Sequence, residues 1–235
     1  MKLGIMQPYF FPYLGYFELI ERTDRWVVFD VVQYNTKSWM SRNRILHPKK
    51  GWQYIGVPVC KAPRGTHIRH IRVHNMEFAL ARILGQLDHY KKHAPHFRRV
   101  VELVQAAFNA TESDRLLDLN MVSLEATCSY LGIDFNWSPC SEMNLDLGGI
   151  EHPGQWALRI ASQLGAQEYI NPPGGRNLFD HSEWAKAGIC LEFNGLPSLR
   201  YQCDPYEFIE HLSILDVLMW NEPNRVTATW RNSKQ

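Results

Sequence analysis

The first thirty residues constrain the fold most. Leu3 to Met6 is a short apolar run that stops at Gln7-Pro8. A loop dense in aromatics and prolines follows, Tyr9 to Tyr13. Gly15 then opens a helical pattern, Phe17 to Arg22, which Thr23-Asp24 ends. Trp26-Val-Val-Phe29 reads as a second strand, closed by Asp30. Strand, loop, helix and strand in that order make a βαβ unit, which requires a parallel pairing and a layered α/β architecture. In such units ligands bind beyond the carboxyl ends of the strands.

The rest of the chain extends that pattern after an interruption. Val31 to His47 alternates polar and aromatic residues and reads as a ligand-facing loop. Trp52 to Val59 and His67 to Val73 both alternate, so a hairpin joined by Lys61 to Gly65 is expected, with Pro58 placing its strand at an edge. Three apolar stripes of helical period follow. They run through Leu80, Ile83, Leu84 and Leu87, then Phe97 to Phe108, then Leu117 to Leu131, with Gly132 as C-cap. Strand candidates resume at Ile133 to Trp137, Glu168 to Ile170 and Ile189 to Phe193, with a helix around Trp156 to Leu164. The expected fold is α/β: a Rossmann-like parallel sheet in a single domain over 1–235, with a mainly helical insertion at about 77–132.

Bulk properties exclude several classes. The 235 residues are 45% hydrophobic, enough for a real core. The net charge of +1 gives no global field toward nucleic acid or anionic lipid, so neither is expected as a partner. No long apolar run could span a membrane, and no signal-peptide pattern opens the chain, so a cytoplasmic location is expected. The five cysteines include no CxxC pair and are expected as free thiols. His67, His70 and His74, and His89, His93 and His96, lack ligand geometry, so no metal is expected. The residues point to no particular cofactor.

The candidate site residues gather where strands end. Asn171-Pro-Pro-Gly-Gly175 places Gly174 and Gly175 just after a strand, where exposed N–H groups suit phosphate or carboxylate, although a tight turn explains them equally. Arg42, Asn43 and Arg44 supply two guanidiniums and an amide suited to a diphosphate, against the plainer reading of a solvated loop. Asp30 is the candidate general base. Gln7, Tyr9, Tyr13, Gly15, Tyr16, Gln33, Tyr34, Ser141 and Glu142 complete the expected lining. Cys140 in Ser138-Pro-Cys-Ser-Glu142 fits packing better than nucleophilic catalysis.

The stretch Ile5-Met-Gln-Pro-Tyr-Phe-Phe-Pro-Tyr-Leu-Gly-Tyr-Phe17 resembles the opening of the WbqC-like proteins. The likeness continues through Phe29-Asp30, Val32-Gln-Tyr34, Arg42 to Ile45, Ala94-Pro-His-Phe97, Ser141-Glu142, Glu168-Tyr-Ile170 and Leu212 to Leu218. Val31 and the Asn-Pro-Pro-Gly-Gly turn depart from the usual pattern. The resemblance implies bacterial surface-polysaccharide work, on O-antigen or flagellin glycans. The implied enzyme is a transferase moving an acyl or aminoacyl group onto the amino group of a nucleotide-linked amino sugar. The donor would be a small molecule or a carrier protein. A weaker resemblance puts Tyr13-Leu-Gly-Tyr16 where nucleotidyltransferases of the HIGH superfamily carry His-x-Gly-His, which makes a nucleotidyltransferase-like enzyme one alternative. A non-catalytic module binding a sugar nucleotide or a carrier protein is the other.

Overall fold

A computed structural model describes residues 1–195 and 197–232. Two compact units divide the chain. A sheet unit comprises Met1–Gln7, Gly15–Asp30 and Asp134–Leu196; a helical unit comprises Pro8–Leu14, Val31–Ile133 and Pro197–Gln235.

The sheet unit opens with β1 (Lys2–Met6), α1 (Leu14–Glu21) and β2 (Arg25–Val28), the βαβ unit expected from the sequence. β1 and β2 run parallel, with Gly4 opposite Trp26. Leu3, Gly4 and Ile5 are consecutive and all buried, as in a parallel sheet covered on both faces. Gly4 is demanded by its neighbour: a Cβ there would lie 2.6 Å from the Trp26 ring. Tyr16 tilts onto the same indole at 5.1 Å between ring centroids.

The helical unit carries β3 (Arg42–Leu46), β4 (Trp52–Gly56), α2 (Met76–Leu87), α3 (Phe97–Ala110) and α4 (Leu116–Leu131). Val100, Leu103, Val104, Ala107 and Phe108 form the buried stripe of α3. Gly132 ends α4 at φ 66°, as its C-cap position anticipated. The three apolar stripes are therefore real helices.

Back in the sheet unit come β5 (Trp137–Pro139), α5 (Gln155–Gln163), β6 (Glu168–Asn171), α6 (His181–Lys186) and β7 (Cys190–Phe193). The helical unit ends with α7 (Ile214–Trp220) and α8 (Pro223–Arg231). Ser213 caps α7, its hydroxyl accepting from the Leu215 N–H at 3.2 Å.

The five strands of the sheet unit are all parallel, in the order β5-β2-β1-β6-β7. Counted along this sheet alone the order is 3-2-1-4-5, the Rossmann arrangement. The fold is α/β and Rossmann-like. Strand order reverses between β1 and β6, so that pair is the topological switch point.

The hairpin differs from expectation. β4 pairs antiparallel with β3, from Arg42 opposite Gly56 to Leu46 opposite Trp52, and not with 67–73. Arg42-Asn-Arg-Ile-Leu46 reads as a polar loop because its outward positions are arginines. Residues 67–73 instead form a short 3₁₀ turn at Ile68–His70, with single bridges Val59–Val73 and Arg72–Arg115. Ile68 and Ile71 are both buried, and a spacing of three suits a tight turn better than a strand.

Candidate functional site

Because the strands of the sheet unit are parallel, their carboxyl ends line one edge. Gln7 follows β1, Asp30 lies two residues past β2, Ser141 two past β5, and Asn171 ends β6. These four lie on the edge where the sequence placed a site.

Asp30 is fully buried. Its Oδ1 accepts the Ser141 N–H at 3.0 Å and its Oδ2 accepts the Ser141 hydroxyl at 2.6 Å. The two residues follow neighbouring strands, so sheet order brings them together. Ser141 is half-buried and is the solvent-facing member of the pair; Glu142 beside it is exposed. Cys140 is buried, and that burial, reinforced by the Asp30 charge, pushes its thiol up to about 11. At neutral pH the thiol stays protonated and is a poor nucleophile.

At the switch point, the backbone carbonyl of Gln7 accepts the Tyr16 hydroxyl at 2.8 Å. Tyr16 is buried, so this bond fixes the first turn of α1, where Gly15 is also buried, against the end of β1. Asn171 is held on both sides of its amide. Oδ1 accepts the Tyr169 hydroxyl at 2.8 Å and Nδ2 donates to the Pro172 carbonyl at 2.8 Å. The two glycines differ. A Cβ on Gly175 would stand 2.2 Å from Asn171 Nδ2, whereas one on Gly174 would meet nothing within 4 Å. Close packing requires only Gly175.

Two polar residues near this edge escape a sequence reading. Glu18 of α1 and Asn194, just past β7, are both buried, with Asn194 Nδ2 donating to Glu18 Oε2 at 3.5 Å. Glu18 also pairs with Arg22 at 2.9 Å. Glu18 falls among Phe17, Leu19 and Ile20, and only its place in that apolar run could have marked it as buried.

The other expected lining residues belong to the helical unit: Tyr9, Tyr13, Gln33, Tyr34, Arg42, Asn43 and Arg44. There the segment Pro8–Leu14 is pinned through its carbonyls. Asn43 Nδ2 donates to Phe10 O at 3.2 Å and Phe11 O at 2.8 Å, and Asn43 Oδ1 accepts the Arg44 N–H. Asn120 Nδ2 donates to Pro8 O and Met40 O, both at 2.8 Å. The Ser213 hydroxyl donates to Phe11 O at 2.7 Å. These bonds hold Phe11 at φ +36°, a region that costs a non-glycine residue energy. Asn43 thus clamps the loop. Tyr9 is half-buried, and its burial raises its phenol pKa, while Tyr13 bridges to Ser213. Gln33 is exposed and bridges to His67, while Tyr34 donates to the Ser41 hydroxyl at 2.9 Å.

Arg42 and Arg44 share the outer face of the hairpin with Trp52 and Tyr54. The Arg42 guanidinium lies 3.9 Å from the Tyr54 ring centroid. That of Arg44 stands between Trp39 at 5.4 Å and Trp52 at 5.2 Å, and one of its terminal N–H groups donates to His211 O. The alternation Arg42-x-Arg44 and Trp52-x-Tyr54 was the readable signal for this face.

Among the described residues no group of three His, Cys, Asp or Glu could hold a metal ion. No described helix is long and apolar enough to cross a membrane. All five cysteines are free thiols.

A parallel sheet in this strand order, with helices between its strands, defines an α/β protein of Rossmann-like fold. Within that class the chain belongs to the WbqC-like protein family, whose model matches residues 7–228. It is also similar to the uncharacterized protein Rv1507c of Mycobacterium tuberculosis (strain ATCC 25618 / H37Rv), 28% identical over 221 residues and 92% of each chain. No solved structure matches.

Proposed function

We propose that this protein is a transferase of bacterial surface-polysaccharide biosynthesis. It moves an acyl or aminoacyl group onto the amino group of a nucleotide-linked amino sugar. The observation that carries this reading is the Asp30–Ser141 pair, a buried carboxylate whose only described outlet is a half-buried hydroxyl at the carboxyl edge of the sheet.

An amino sugar arrives at neutral pH as an ammonium, which cannot attack a carbonyl. Asp30 is too deeply buried to meet it directly. Ser141 can relay instead: its oxygen accepts an ammonium proton while its own proton passes to Asp30 Oδ2. The freed nitrogen lone pair forms the C–N bond at the donor carbonyl. The bond to the leaving group then breaks, its electron pair departs with that group, and the second proton lost from the nitrogen goes to the departing group. Gln7, with Asn171 and Gly175, bounds the edge at the switch point, where an α/β sheet binds its ligand.

The test is mass spectrometry of the whole protein incubated with nucleotide-linked amino sugars and a panel of acyl and aminoacyl donors. Product should show the mass of one added acyl group. Ser141→Ala should cut its rate while the sugar nucleotide still raises the melting temperature. Tight binding with no mass gain across a broad panel would reduce the protein to a binding module.

A further inference from the structure

The net charge of +1 conceals a strong segregation. From Val31 to Met76 there is no Asp or Glu, while nine Lys and Arg occur. The remainder of the chain therefore carries a net charge of −8. Of the nine cations only Arg72 has an ion-pair partner among the described residues, Asp114 at 2.7 Å.

The β3–β4 hairpin concentrates this charge beside exposed rings. Trp39, Trp52 and Tyr54 are each about two-fifths exposed, and they are three of the five large hydrophobic side chains exposed among the described residues. Trp52 and Tyr54 meet edge to face at 5.0 Å. Lys49 and Lys50 stand exposed in the turn that follows β3, and Lys37 is exposed in the segment that leads to it. Cations flanking partly exposed aromatic rings are what single-stranded nucleic acid binders present: the cations track phosphates, and the rings stack on bases.

We propose that this hairpin face binds single-stranded nucleic acid. Two alternative occupants fit less well. One sugar nucleotide carries a diphosphate, which two guanidiniums satisfy, leaving Lys37, Lys49 and Lys50 without purpose. A bilayer would require apolar side chains at the hairpin tip, but the turn is His47-Pro-Lys-Lys-Gly51, whose two lysines are exposed. The proposal uses only the helical unit and stands independently of the transferase reading.

Fluorescence anisotropy of labelled oligothymidylate and oligoadenylate, each about fifteen nucleotides, against the whole protein tests it. Binding should weaken as salt rises, with log K falling by about 0.7 per phosphate neutralised for each tenfold rise in salt. Trp39→Ala with Trp52→Ala should weaken it on the order of tenfold or more. Lys49→Glu with Lys50→Glu, in the exposed turn, should lower both affinity and salt slope without disturbing the fold. No binding at low salt, or binding indifferent to both pairs of substitutions, would overturn the proposal. So would displacement of the oligonucleotide by a mononucleoside diphosphate at equal affinity, or binding to phosphatidylserine vesicles in place of the oligonucleotide.

Discussion

Asp216 should make the protein's stability respond to acid in an unusual direction. Its carboxyl is fully buried at the first turn of α7. It accepts hydrogen bonds from the hydroxyls of Tyr90 and, at 2.6 Å, Tyr201. Tyr90 in turn accepts the Leu46 N–H at 2.9 Å. Burial outweighs these donors and pushes the Asp216 pKa from 3.8 to about 6. The facing groups do not titrate nearby. Burial, helped by the Asp216 charge, raises Tyr90 and Tyr201 and puts Cys203 at about 11.

The unfolded chain ionises this carboxyl more readily than the folded one. Stability is therefore lost as pH rises from the unfolded value toward 6, and it returns on acidification. A difference of roughly two pKa units corresponds to about 3 kcal/mol above pH 7. Of this, about 2 kcal/mol is recovered between pH 7 and pH 4.5. Other carboxylates shift in the same range, so the readout is the gap between the native protein and Asp216→Asn, which cannot ionise. Urea unfolding at both pH values should show the native protein gaining about 2 kcal/mol on the variant in acid. A gap independent of pH would refute the reasoning, because Asp216 would then ionise no differently folded than unfolded.

Three further outcomes follow from the geometry. Asn120→Ala orphans the carbonyls of Pro8 and Met40 and should cost about 1–3 kcal/mol for each that stays dry, read by urea unfolding. Gly175→Ala should lower the melting temperature, since the added Cβ collides with Asn171, whereas Gly174→Ala should leave it unchanged. Iodoacetamide at pH 8 should modify the exposed Cys60 and Cys190 in the native protein while sparing Cys140, as peptide mapping would show.

The Rossmann-like sheet could be read from β1, α1 and β2 because an apolar run, a glycine-led helix and a second run are local signals. Sheet order could not, since it depends on which distant strands flank β1. β3 was hidden because its outward arginines imitate a loop, and 67–73 imitated a strand because His and Arg alternate with Ile. At the edge, residue positions were readable from strand ends, but the state of each side chain was not. Asp30 reads as an accessible base, yet it is buried under Ser141. Asn43 reads as a ligand contact, yet its Nδ2 is spent on the loop it holds and its Oδ1 on the Arg44 N–H. Such roles depend on groups thirty or more residues away in the chain. Whole-chain charge speaks only to a global field, because a sum near zero carries no information about how its parts are distributed.

The pairing of Lys2 with Glu168 has a consequence for how the chain is made. β1 leaves the ribosome early, but one of its two sheet neighbours is separated from it by most of the polypeptide. The intervening residues include most of the helical unit, which itself awaits α7 and α8. Neither body can therefore be completed in order of synthesis. Pairings this distant in sequence close slowly. An apolar strand that waits so long with one side open exposes itself to other nascent chains, so the growing polypeptide should depend on chaperones more than its modest length suggests.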